Sequence, residues 1–232
     1  MPSTTKVLHF FCSALATSVS VGLLGFSMST SWSESSMECT EQNTAYGNGS
    51  AMITMALFDL ISARSFCPVL GQDPEVFKAF PELAKVGGAP QILHGLCVLL
   101  LVLCLVCSAG SILISLYNSI SNPYETYMGP IGIYACNAGS ACLSLLVLIV
   151  FALNVHVTGM PEGLARSNSK VIPVDVRDTQ TQMGLGYFLV IPYLALSLLA
   201  TGFIYLYQHA AYTHRREQQK PTEDAPKEIM MY

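Results

Sequence analysis

Charge is what this sequence has least of. Asp, Glu, Lys and Arg make up 11% of the chain, against about 25% in soluble domains. The scarcity is concentrated. Residues 7–28, 92–117, 130–154 and 185–207 contain none of the four. Crossing roughly 30 Å of hydrocarbon takes about 20 helical residues, and each stretch is that long or longer. Backbone N–H and C=O groups in lipid must be satisfied within their own segment, so these stretches are expected as helices. A water-soluble core in a chain this short cannot usefully bury four helices that are apolar all round. The expected fold is an all-α membrane protein: a four-helix transmembrane bundle with a structured extracellular first loop.

Other absences narrow the function. The formal net charge is only −4 and no basic patch exists, so nucleic-acid binding has no electrostatic basis. There is no HExxH, no GxSxG and no phosphate-cradling Walker loop. The letters CxxC do occur, at Cys104-Leu105-Val106-Cys107, but in the middle of the second apolar stretch. Thiolate chemistry and metal delivery are implausible there. The acids are scattered over loops with no pair held at helical spacing. No catalytic residue, cofactor, metal or small-molecule substrate is expected. The expected partners are the lipid bilayer and other membrane proteins.

The charge-free stretches divide the chain. Residues 1–6 form a short N-terminus and 7–28 the first span. A long first loop covers 29–91 and the second span 92–117. A tight connection covers 118–129 and the third span 130–154. A second large loop covers 155–184, the fourth span 185–207 and a polar tail 208–232. Lys6 precedes the first span and small residues follow it at Ser27, Ser29 and Ser31, so a cleaved signal peptide is the alternative there. The run exceeds a usual signal core of 7–15 residues, which favours an uncleaved anchor.

Four spans place both termini on one face. Lys and Arg split five to six between the two faces and orient the chain only weakly. Asn48-Gly49-Ser50 in the first loop is the one acceptable N-glycosylation acceptor. Of eight cysteines, Cys12, Cys97, Cys104, Cys107, Cys136 and Cys142 fall inside spans. Only Cys39 and Cys67 lie in a loop, and it is the loop with Asn48. Two thiols confined to one oxidising compartment read as a disulfide, worth about 3–4 kcal/mol in the chain-entropy account; two free thiols are the alternative. These features predict cytosolic termini and large loops on the extracellular side, in the plasma membrane.

Within the first loop, Ala51–Ile61 is apolar and reads as a strand or as a helical turn on the membrane surface. Asp73-Pro74-Glu75 reads as a helix start, with Asp as cap and Pro at the first helical position. Val76, Phe77, Phe80 and Leu83 form an apolar stripe behind it, and Pro81 is expected to end that helix. In the spans, small residues recur at helical spacing. Cys107, Ser111 and Ser115 mark one face of the second span. Gly132, Cys136 and Ser140 mark one face of the third, with Ala135 and Gly139 beside it. Close helix contact in lipid depends on such side chains, so these two spans are expected to pack as a hairpin. Pro192 is expected to kink the fourth span. Asn137 is the one strongly polar residue well inside a span. His94 and Asn154 sit near span ends, where water is expected to serve them.

The tail ends Ile229-Met230-Met231-Tyr232. A free carboxylate with apolar side chains at the last and third-last positions suits strand addition in a PDZ groove, with Met230 and Tyr232 as anchors.

The stretch Leu116–Asn137, LYNSISNPYETYMGPIGIYACN, with its NPYxT and GPxGxY elements, resembles the clarin family, as do the start MPSTTK and the tail segment RREQQKPTEDAP at Arg215–Pro226. The resemblance covers the layout of the whole chain, which is claudin- and tetraspanin-like. It departs in detail. The YGLF-like element frequent in clarins is reduced to Leu57-Phe58. Of the claudin pattern of Trp and Cys residues only Trp32, Cys39 and Cys67 remain, and the tetraspanin CCG triplet is absent. The resemblance implies a non-enzymatic membrane organiser or adaptor, linked through the family to cytoskeletal or scaffold proteins and to the sensory perception of sound. The alternative function is an auxiliary subunit of a channel or transporter.

Overall fold

The computed structural model describes residues 4–41, 49–65, 72–120, 129–168 and 174–219. Four long helices dominate it: α1 (Thr4–Ser29), α3 (Gly88–Ile120), α4 (Pro130–His156) and α6 (Leu185–Gln219). All four are long and apolar enough to cross a membrane. Each extends beyond its charge-free stretch, because a helix continues past the hydrocarbon where polar residues can face water. Pro192 lies inside α6, which runs on to Gln219. Lipid-directed side chains such as Phe11, Leu99, Leu146 and Leu198 are exposed on the bundle's outside.

At the end where α1 and α4 finish and α3 and α6 begin sits a five-stranded antiparallel sheet. Its strands are β1 (Ser31–Glu41), β2 (Gly49–Ala56), β3 (Asp59–Ser65), β4 (Gln72–Lys78) and β5 (Val174–Met183), in the order β4-β3-β2-β1-β5. The first loop is thus structured as four strands, and the second large loop donates the fifth. Of the two readings open for Ala51–Ile61, the strand is observed. Two short helices, α2 (Ala79–Val86) and α5 (Met160–Asn168), lie between sheet and bundle.

The helix start expected at Asp73-Pro74-Glu75 is a correction: these residues belong to edge strand β4. The register between β3 and β4 slips between Ser62 and Arg64. Pro74 therefore sits at an irregularity on an edge, where its missing N–H breaks no ladder bond. The helix begins at Ala79 instead. That puts Pro81 in the first turn, where no N–H is required, so it does not end the helix. The end comes at Gly87 and Gly88, both at positive φ (67° and 65°), which turn the chain from α2 into α3. Only glycine takes two successive left-handed conformations at little cost.

Candidate functional site

The junction between sheet and bundle holds the tightest constellation of polar and aromatic groups. Its centre is Trp32, the only tryptophan, fully buried. The register of β1 against β2 shifts between Ser31 and Ser33. A bulge of this kind re-aims a side chain, and here both Trp32 and Ser33 point inward. The indole Nε1–H donates to the Ser27 carbonyl at 2.8 Å. Its ring meets Phe151 edge-on at 5.0 Å and Tyr187 at 6.4 Å between centroids. The Trp32 carbonyl accepts from the Gly184 N–H at 2.8 Å, and the Ser27 hydroxyl donates to the Gly186 carbonyl at 2.7 Å. One strand residue thereby ties α1, α4 and α6 together.

Two further clamps lie at this end of the bundle: His94 on α3 reaches the sheet, and Asn154 joins α4 to α3 and α5. His94 is buried, its Nε2 donates to the Leu57 carbonyl at 2.8 Å, and its ring packs edge-on against Phe80 at 5.4 Å. Asn154 is also buried. Its Nδ2 donates to the Pro90 carbonyl at 3.2 Å and lies 3.3 Å from Met160 Sδ, while its Oδ1 accepts from Thr158 Oγ1 at 3.1 Å. Where the sequence suggests water, protein groups partner His94 Nε2 and the Asn154 carboxamide. The sheet and the short helices cover the span ends where water would otherwise reach.

Deeper in the bundle, Tyr193 on α6 bridges the helices. Its hydroxyl lies 2.9 Å from Ser108 Oγ and donates to the Cys104 carbonyl at 3.3 Å. Helices α3 and α4 approach closely at a seam of small residues. A methyl group on Gly110 would stand 3.4 Å from Cys136 Sγ, and one on Gly139 4.0 Å from Cys107 Sγ. Ser111, Ser115 and Ser140 are fully buried on the inner side of these two helices. Gly132 lies in the first turn of α4, with its N–H on the Gly129 carbonyl. Gly110 was not among the residues that helical spacing singled out, since it falls one position before Ser111.

Asn48, Cys67, Met230 and Tyr232 lie outside the described residues. For Cys39 only the backbone is described, paired in β1 with Gly49 on one side and Val176 on the other. The described cysteines Cys12, Cys97, Cys104, Cys107, Cys136 and Cys142 are free thiols. Among the described residues no group of three or more His, Cys, Asp or Glu side chains is placed to hold a metal.

The outer face of the sheet divides in two. Across β2, β3 and β4 the register sets Thr54, Ile61 and Val76 side by side, with Met52 opposite Ala63. Met52, Ile61 and Val76 are 51%, 41% and 67% exposed. Across β1 and β5 the same face carries exposed Glu34, Ser36, Gln180 and Gln182.

A bundle of four membrane-length helices, capped by a sheet built from both large loops, defines a four-span membrane protein. No family model matches the chain, but whole proteins do. It is 33% identical over 236 residues to clarin-3 of Mus musculus and 29% identical over 234 residues to clarin-3 of Homo sapiens, each pair matched over its full length. It is 31% identical to human clarin-1 over 96 residues, covering 41% of this chain and 40% of that protein. The chain belongs to the clarin family.

Proposed function

We propose that this protein is a non-enzymatic organiser of other membrane proteins at the plasma membrane. The observation that carries this reading is the sheet. It is fixed to the bundle by Trp32 and His94, yet leaves Met52, Ile61 and Val76 uncovered on its outer face. A rigid platform with an exposed apolar strip beside a polar half suits binding to another protein, whose contact would be apolar at the centre and polar at the rim.

In this reading both termini are cytosolic. The sheet faces the extracellular side, Asn48 carries a glycan and Cys39 pairs with Cys67. The tail, with Met230 and Tyr232 as anchors, docks a PDZ scaffold and so joins the platform to the cytoskeleton. A part in the sensory perception of sound follows from the family alone.

Proximity labelling from the first loop and from the tail tests this directly. The loop-side probe should mark a defined set of membrane proteins, and the tail-side probe a PDZ scaffold. Replacing Met52, Ile61 and Val76 together by Glu should empty the loop-side set while the protein still reaches the surface. An unchanged loop-side set contradicts the platform. A peptide of the last ten residues that binds no PDZ domain on an array contradicts the docking.

An auxiliary subunit of a channel or transporter is the second reading, favoured by the polar side chains inside the bundle. The apolar groups that close those polar layers on both sides weigh against a conducting path. Reconstitution into liposomes without ion flux would remove that reading where the protein acts alone.

A further inference from the structure

Below the Tyr193–Ser108 contact, the middle of the bundle is polar where lipid-embedded helices are usually packed with apolar side chains. Asn137 on α4 is 1% exposed, and neither its Oδ1 nor its Nδ2 has a partner. The hydroxyls of Ser111 and Ser115 on α3 and Ser197 on α6 are likewise buried and unpaired.

Contacts between the helices place these groups near one another along the bundle. Cys104 Sγ lies 3.6 Å from the Ser140 carbonyl, and Ser108 Oγ lies 2.9 Å from Tyr193 OH. One turn, about 5.4 Å, away from the sheet, Asn137 follows Ser140 on α4 and comes level with Ser108, one turn from Cys104 on α3; Ser111 follows one turn beyond Ser108, beside the Gly110–Cys136 contact, and Ser197 one turn beyond Tyr193. On α1, Ser13 donates to the Ala200 carbonyl at 3.1 Å, which brings Thr17 level with the same layer.

The neighbouring hydroxyls are already committed. Ser13 donates to Ala200, Thr17 to the Ser13 carbonyl, and Ser140 to the Asn137 carbonyl. None of these three is left to donate to Asn137. A carboxamide offers two donors and an acceptor, and a buried polar group left without partners is strongly disfavoured. The layer is closed on both sides. Toward the sheet lie Leu101, Cys104 and Tyr193. Toward the termini lie Phe10, Ile133 and Ile204. The charge-free stretches bring no acid to offset a cation.

We propose that this layer is a buried water site, in which water bridges the Asn137 carboxamide to the Ser111 and Ser197 hydroxyls. Water is the ligand these groups select. It is neutral, it donates and accepts, and it is held by two to four polar partners. Enclosed between apolar layers, it serves as part of the packing and joins α3, α4 and α6 where Tyr193 does not reach.

The test uses the whole protein in lipid bilayers, with uniformly 13C,15N-labelled asparagine and 13C-carbonyl cysteine. Cys136-Asn137 is the only Cys-Asn pair in the sequence, so the Cys136 carbonyl selects the Asn137 backbone nitrogen, and the asparagine's own carbons lead from there to its side-chain amide. Solid-state NMR then follows magnetisation passing from water to the Asn137 side-chain amide. The expected result is transfer at mixing times comparable to those of water-exposed amides. A side chain that stays dark at mixing times long enough to saturate exposed amides means a dry layer and overturns the proposal. The S111A/S197A double variant should slow the transfer several-fold while leaving the exposed amides unchanged. Unaltered transfer in that variant would overturn the assignment of the bridging partners.

Discussion

Trp32 occupies the space that a side chain at Gly186 would need. A methyl group on Gly186 would stand 2.5 Å from Trp32 Cδ1 and 2.8 Å from the Ser27 carbonyl. The bulge in β1 and the bare backbone at the start of α6 are therefore two halves of one device. One turns the indole inward and the other leaves room for it. Gly186→Ala should destabilise the detergent-purified protein by about 1–3 kcal/mol through overpacking, read as a lower unfolding temperature. In a Gly186→Ala, Trp32→Leu double variant the losses should be clearly non-additive, since the two sites touch.

His94 holds the sheet through the Leu57 carbonyl and Phe80. His94→Ala strands that carbonyl at a buried position, which costs about 1–3 kcal/mol. The loss should be local first. Limited proteolysis should cut within 49–65 sooner in the variant than in the parent, while the long helices stay protected. Equal cleavage rates would show that the clamp contributes nothing.

The seam of α3 and α4 tolerates little added bulk. Gly110→Leu should push against Cys136 and separate the hairpin, with a cost of about 1–3 kcal/mol from overpacking. Gly110→Ala meets Cys136 Sγ at a distance that a small shift relieves, so it should stay near the parent. Thermal unfolding in detergent separates the two variants.

The four helices were legible because lipid solvation leaves a one-dimensional mark: no charge over the length of a span. The sheet left no such mark. Strand β1, SWSESSMECTE, lies beside the central strand and reads as a polar loop, because small Ser33 and Ser35 share its inward side with Trp32 and Met37, the two apolar side chains described there. Its partner β5 lies beyond two spans in the sequence, where no local pattern reaches. Asp73-Pro74 carried a helix-start signal, and the edge position of β4 overrode it. The inward turn of Trp32 depends on a one-residue bulge, and the importance of Gly186 on where that indole goes. Asn137 stood out as a lone polar residue in a span, but its want of a partner is a property of three other helices.

The proposed Cys39–Cys67 disulfide has its own check. Non-reducing electrophoresis after thiol blocking should show Cys39 and Cys67 unavailable to alkylation until reduction. Cys39→Ser and Cys67→Ser should each destabilise about as much as the double variant, near 3–4 kcal/mol in the chain-entropy account. Free labelling of both thiols in the native protein would remove the bond from the picture.

The most direct test of the whole arrangement is the side on which the sheet lies. Membranes from cells expressing the parent and an Asn48→Gln variant should be washed with carbonate, treated with N-glycosidase and compared by electrophoresis. The account predicts that both proteins stay in the membrane pellet, that the parent shifts to lower mass on treatment, and that the variant already runs at that mass. A parent that is washed into the supernatant, or whose mobility neither the enzyme nor the substitution changes, would contradict it.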